Sequence, residues 1–155
     1  MKRHGFSLLE VVIVVAIVAI MGAMAIPRVS RGVKGAGETV LAGDLRSLRD
    51  AIEHYASEHG GSYPVYKDLA GQLTRCTDPS GGIRASRDTS HRYGPYLQAI
   101  PPLPVGQRKG ATGITRKTGT GGLTMGWVYD EATGVIHANC DADEIDETGT
   151  PYADY

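Results

Sequence analysis

The chain has 155 residues, including 21 glycines, one Phe and one Trp, and a formal net charge of −1. That length suits one modest domain with an anchor or tail, and the balanced charge gives no global pull toward nucleic acid. Two cysteines exclude a disulfide-dense scaffold but allow one bridge in an oxidising compartment. Once the greasy N-terminus is set aside, little large apolar material remains, so a small, loop-rich head of marginal stability is expected.

The first element is apolar. In "MKRHGFSLLEVVIVVAIVAIMGAMAIP", Glu10 is the only charged residue between positions 6 and 26. A helix there is greasy on every face and, at about 1.5 Å per residue, reaches roughly the 30 Å of a hydrocarbon core. A plain membrane anchor leaves Glu10 unexplained, because an unpaired carboxylate at that depth is costly. A cleaved secretory signal fits Ala23-Met24-Ala25, but the run exceeds the roughly 7–15 residues of a signal core and Pro27 follows directly. The third reading takes Lys2, Arg3, Gly5, Phe6, Glu10 and Pro27 together.

In that reading, "KRHGFSLLE" resembles the prepilin-peptidase site of type IV pilins and type II secretion pseudopilins, most of all the major pseudopilin. The shared pattern is a short basic leader, Gly, then Phe or Met, then a carboxylate four positions on. The resemblance implies cleavage between Gly5 and Phe6, with Gly5 recognised by the peptidase and the new N-terminus at Phe6 methylated. It makes Pro27 the proline that bends the helix. Cleavage frees the α-amino group of Phe6, a cation that meets Glu10 of a neighbouring copy in a filament. Such a pair offsets much of the desolvation each charge would bear alone. It also fixes axial register, which sliding apolar surfaces do not.

The implied partners are further copies of the chain in a homo-oligomeric filament, other pilin-like subunits, prepilin peptidase, and the inner-membrane assembly platform with its ATPase. Membrane lipid is the partner before assembly, and no nucleic acid is expected. The implied location is the bacterial inner membrane, single-pass, N-terminus cytoplasmic and head periplasmic. Lys2 and Arg3 agree with that orientation, although Arg28, Arg31 and Lys34 follow the span. The implied role is mechanical, not enzymatic. A type IV pilus subunit for adhesion, motility or DNA uptake remains an alternative, as does a tethered or secreted binding module.

After Pro27, Val33, Ala36, Val40, Leu41, Leu45, Leu48, Ile52, Tyr55 and Ala56 recur at steps of three and four, an amphipathic stripe. The helix is expected to continue to about His59, softened around 22–37 by its glycines. "HGGSYP" ends it. A short helix is expected over 66–73, then loop through "TDPSGG". "YLQAIPPLP" reads as extended, and by resemblance it matches a segment that crosses the head of major pseudopilins. "GQRKGATGITRKTGTGG" reads as a flexible basic loop whose Arg108, Lys109, Arg116 and Lys117 face the acidic tail or a neighbouring subunit. A hairpin is expected with strands 124–129 and 135–138, anchored by Trp127 and by Val135 or Ile136. The tail "DADEIDETGTPYADY" reads as acidic and mostly irregular. The division is thus leader 1–5, transmembrane and filament-core helix 6–27, amphipathic helix 28–59 and head 60–155. The fold class is α+β: one long N-terminal helix and a small head with a short antiparallel hairpin.

Four constellations can be weighed. The glycine-rich loop lacks the Gly-Lys-Ser/Thr end of a phosphate loop. Cys76, His137 and Cys140 offer at most three zinc ligands. Cys76 and Cys140 are the candidate disulfide pair, with two buried free thiols as the alternative. Asp141, Asp143 and Asp146 alternate with small residues, as oxygen-rich Ca²⁺ loops do, and major pseudopilins of type II secretion carry calcium in this region. The spacing is not that of an EF-hand, and a solvated acidic tail is the alternative. His4, His54, His59, His91 and His137 are scattered and read mostly as surface residues, with no catalytic frame.

Overall fold

The computed structural model describes residues 7–117 and 121–155, apart from the side chains of 23–34. Its spine is helix α1, Leu8–Glu58, 51 residues long. At about 1.5 Å per residue this is roughly 77 Å. The backbone stays helical through Pro27, whose side chain lies outside the described residues. Among the described residues no helix is long and apolar enough to cross a membrane. The expected span of 6–27 begins before these residues and ends among side chains outside them.

The two ends of α1 meet different surroundings. From Leu8 to Met21 the large apolar side chains are 50–82% exposed. Burial begins at Leu41 and repeats at Leu45, Leu48, Ala51, Ile52, Tyr55 and Ala56, all at 5% exposure or less. The stripe read from the sequence is therefore correct from Leu41 onward. Val40, one position off the buried line, is 51% exposed. Fully burying one such leucine contributes about 1.5–3 kcal/mol. The helix stops where Gly60 and Gly61 take positive φ, 65° and 86°. There the Gly61 N–H reaches back to Ala56 O at 2.8 Å. Only glycine adopts this left-handed stop cheaply.

The chain then folds back. A 3₁₀ turn, Tyr66–Asp68, leads into α2, Leu69–Thr74, which buries Leu69, Gln72 and Leu73. This agrees with the expected short helix. "TDPSGG" is more ordered than expected. It closes a hairpin of β1, Cys76–Thr77, with β2, Ile83–Arg84. One oxygen of Asp78 accepts hydrogen bonds from Ser80 N, Ser80 Oγ and Gly82 N at 2.7–2.9 Å. The proline-rich segment has no regular strand. It lays Leu103 and Val105 in the core and accepts a 2.8 Å hydrogen bond at Pro101 O from the Trp127 indole.

The main sheet has strand order β3-β4-β5: Gly113–Thr115, Met125–Tyr129 and Ile136–Ala138. β4 and β5 form the expected antiparallel hairpin, with Trp127 opposite Ala138 and Tyr129 opposite Ile136. Trp127 and Ile136 are fully buried, while Val135 is 57% exposed and anchors nothing. β3 pairs parallel to β4 inside the stretch expected to be a flexible loop. The backbones meet closely here: a Cβ on Gly126 would lie 2.2 Å from Ala111 O.

The C-terminal segment is acidic and mostly irregular, as expected, but it is packed against the head and not a loose tail. Ile145 and Pro151 bridge, a 3₁₀ turn spans Tyr152–Asp154, and Tyr152 is 4% exposed within the core. Arg49 of α1 donates to Ile136 O at 3.3 Å and also to Tyr155 O. Tyr152 donates to Glu38 at 3.1 Å. Apolar burial of Tyr152 outweighs the solvation of the surrounding acids, so the segment packs as a strap across α1 and β5.

Candidate functional site

Gly5 and Phe6 lie outside the described residues. Glu10 does not: it stands in the first turn of α1, exposed, between Leu9 and Val11, which are 67% and 50% exposed. An acid in the first turn suits the positive end of the helix macrodipole. Among the described residues nothing in the same chain pairs with it, and its surroundings are uniformly apolar out to Met21. This end of the helix can therefore present two things to a partner: a greasy cylinder, and one carboxylate at a fixed height on it.

Within the head, Cys76 and Cys140 are both buried and both free, so the disulfide weighed above is not formed. Their settings differ. Cys76 belongs to β1 and faces Arg84 of β2 in register. Cys140 follows β5, close to Gly106 and Glu144. Burial first, and then the Glu144 carboxylate, push the Cys140 thiol up to about 12, which keeps it protonated and inert. A zinc site from these cysteines and His137 is not assembled. Among the described residues no three His, Cys, Asp or Glu side chains converge as metal ligands.

The calcium reading separates into three unrelated residues. Asp141 pairs with the Arg108 guanidinium, Nη1 to Oδ2 at 3.2 Å. Asp143 is exposed. Asp146 is 8% exposed, and one of its oxygens accepts from Thr148 N, Thr148 Oγ1 and Thr150 N at 2.7–2.8 Å. Its other oxygen accepts from the Tyr155 hydroxyl at 2.7 Å. Burial alone would raise this carboxyl, but the bonds from Tyr155, Thr150 and Thr148 hold it well below the usual carboxylate range. Asp146 is a loop clamp with both oxygens engaged. The residues present do not fit a shared Ca²⁺.

The sequence reading placed Arg108 on a flexible loop and missed its burial. It is 8% exposed and donates to Asn139 O at 3.2 Å as well as to Asp141. Glu144 Oε2 lies 4.0 Å away, and Glu144 also accepts from Asp141 N at 2.7 Å and from Gln107 N. The expectation that the basic loop meets the acidic tail is met at Arg108. Arg116 instead pairs with Glu131 and lies over the Tyr66 ring. The available signal was charge complementarity between "QRK" and "DADEIDE".

The histidines also differ from a surface reading. His59 is 9% exposed and stacks on Tyr55 with centroids 3.8 Å apart. His91 sits between Asp88 at 3.0 Å and Asp78 at 3.8 Å. His137 is half-buried in β5, and burial first, then Arg49, lower its pKa. These three occupy separate elements with separate structural partners and share no nucleophile.

Comparison with known proteins agrees with this geometry. Residues 1–26 match the model of the prokaryotic N-terminal methylation motif. The prepilin peptidase-dependent protein D of Escherichia coli (strain K12) is 30% identical over 138 residues, covering 86% of this chain and 79% of that relative. The type II secretion system core protein G of Vibrio cholerae serotype O1 is 26% identical over 105 residues, covering 68% of this chain and 67% of the relative. Core protein G of Aeromonas hydrophila is 25% identical over 109 residues, covering 68% and 69%. No solved structure gives a significant match. Likeness that starts at the methylation motif and continues through the head makes this chain a member of the pilin and pseudopilin family, a structural class and not a class of enzymes.

Proposed function

We propose that the chain is a pseudopilin: cut by prepilin peptidase after Gly5, methylated on Phe6, and polymerised into a pseudopilus that serves type II protein secretion. The observation that carries this is Glu10, a lone exposed carboxylate on an otherwise apolar helix face. In the assembled state the α-amino cation of Phe6 on one copy pairs with Glu10 of another, and the apolar cylinders bury one another. Before assembly the same cylinder lies in the inner membrane as a single span, with the head outside the cytoplasm. The assembly platform and its ATPase supply the work, and the chain itself catalyses nothing. Two relatives named for secretion and the "YLQAIPPLP" segment support the secretion role.

Mass spectrometry of the mature N-terminus tests the processing step, with N-methylphenylalanine at position 6 expected. An intact Met1, or a chain beginning at Ile26, sinks it. Glu10→Val tests the register: membrane insertion should persist while filaments disappear, and normal filament yield would overturn the assigned role of Glu10. A type IV pilus is the second reading. It is favoured by the 30% identity to a relative that is not named for secretion. Deleting the chain separates the two, since a pseudopilin is needed for export and a pilin for surface filaments.

A further inference from the structure

We propose that Arg108 is the built-in counter-cation of the C-terminal segment, taking in this chain the place of a bound divalent metal, so that the head folds and stays folded without calcium. The proposal concerns the head alone and does not depend on which filament the chain builds.

The supporting geometry is a buried charge cluster. Arg108 and Glu144 have side chains only 9% and 10% exposed, and Asp141 flanks them at 40%. Two neighbouring carboxylates on one short segment repel, and burying them without a positive partner is unfavourable. The guanidinium supplies that partner, 3.2 Å from Asp141 and 4.0 Å from Glu144, and its Nη1 also ties down Asn139 O at 3.2 Å. Asn139 is fully buried, and its amide donates to Met125 O at 2.7 Å, so the cluster is joined to β4. Glu144 in turn accepts from Asp141 N, Gln107 N and lies against Cys140.

The balance of donors and acceptors decides between an arginine and a metal. A Ca²⁺ site needs six to eight oxygens aimed at one point. Here the imbalance runs the other way: the buried Arg108 Nε–H has no acceptor among the described residues. A divalent ion placed between Asp141 and Glu144 would sit within a few ångströms of a guanidinium that cannot lose its proton. Asp146, the remaining buried acid, has both oxygens already committed to Thr148, Thr150 and Tyr155.

The test uses the full chain in detergent. Calcium titration followed by calorimetry, and thermal unfolding with millimolar CaCl₂ or with EDTA, should show no binding heat and no shift in midpoint for the wild type. A midpoint that falls on chelation, or stoichiometric calcium binding with Arg108 in place, overturns the proposal. Arg108→Gln removes the charge while keeping much of the length. It should raise amide exchange in residues 140–155 by roughly 100-fold, as expected when one partner of a buried pair is removed. Arg108→Lys, which keeps the charge but loses the fork, should fall between the two. Unchanged protection of the segment in Arg108→Gln would also overturn the idea. If that variant does not fold, the wild-type metal titration decides alone.

Discussion

The two halves of α1 share one backbone geometry and have opposite fates. In the second half, Leu41, Leu45, Leu48 and Ile52 are essentially fully buried by the head of their own chain. In the first half, Val11, Ile13, Val14 and Ile17 are half-exposed or more, with no part of the head against them. Amphipathicity accounts for the difference. Charged residues such as Arg46, Asp50 and Glu53 give the second half one apolar side, which a single small head can cover. The first half is apolar all round, and only lipid or neighbouring helices can cover a surface of that shape. One half of the helix is thus solved within the chain, and the other is left for other molecules.

The comparison can be broken hardest at Trp127, the largest fully buried side chain. Trp127→Ala should cost about 3–5 kcal/mol, read by denaturant unfolding of the full chain in detergent. Leu48→Ala, on the buried half of α1, should cost about 2–5 kcal/mol in the same assay. If either is neutral, the head does not grip the helix as described. Gly126→Ala comes next: its methyl would press on the Ala111 carbonyl, so β3 or β4 must shift, and hydrogen exchange at residues 113–115 should rise.

Acid gives a further separation. Asp88 is held below the usual carboxylate range by the His91 backbone and side-chain hydrogen bonds, which outweigh burial. Asp146 is lowered in the same sense by Tyr155, Thr150 and Thr148. A depressed folded-state pKa means stability that is present above the unfolded value, near 3.9, and lost as pH falls through and below it. The midpoint of the head should therefore drop below about pH 4, and Asp146→Asn should flatten that drop. The smallest effect belongs to the exposed half of α1: Val14→Ala should change head stability by less than about 0.5 kcal/mol. A larger loss would mean that the first half also serves the monomer.

What could be read from the sequence follows the range of the forces involved. The long helix, its buried stripe from Leu41 and the hairpin around Trp127 rest on local periodicity and propensity. β3 was invisible because Gly113, Ile114 and Thr115 show no alternating pattern. They become a strand only by pairing with β4, a partner ten or more residues away. The contact of Arg108 with the acidic segment was anticipated, but the burial of Arg108 and of the strap of residues 141–155 was missed for a related reason. In sequence they are a basic loop and an acidic tail, each well solvated alone, and only their mutual charge and the apolar anchor Tyr152 bring them inside. The histidines were read mostly as surface residues, and for His59 a local signal was passed over: it stands four residues after Tyr55, the spacing that brings the two rings together at the end of α1. The processing motif was legible throughout, since its chemistry lies in contiguous residues.

Among the described side chains of α1, contact with the head starts at about Gly37, where a Cβ would sit 3.3 Å from Val105. Leu8 lies some 30 residues before that point along the helix, roughly 43 Å of backbone. Leverage follows from that length. A tilt of about 5° at the root would swing the far tip by roughly 4 Å, about two thirds of the 5.4 Å helical pitch. A tilt set where Val105 meets Gly37 would thus be amplified along the helix before it reached Glu10, which ties the aim of the carboxylate to the fit at the collar.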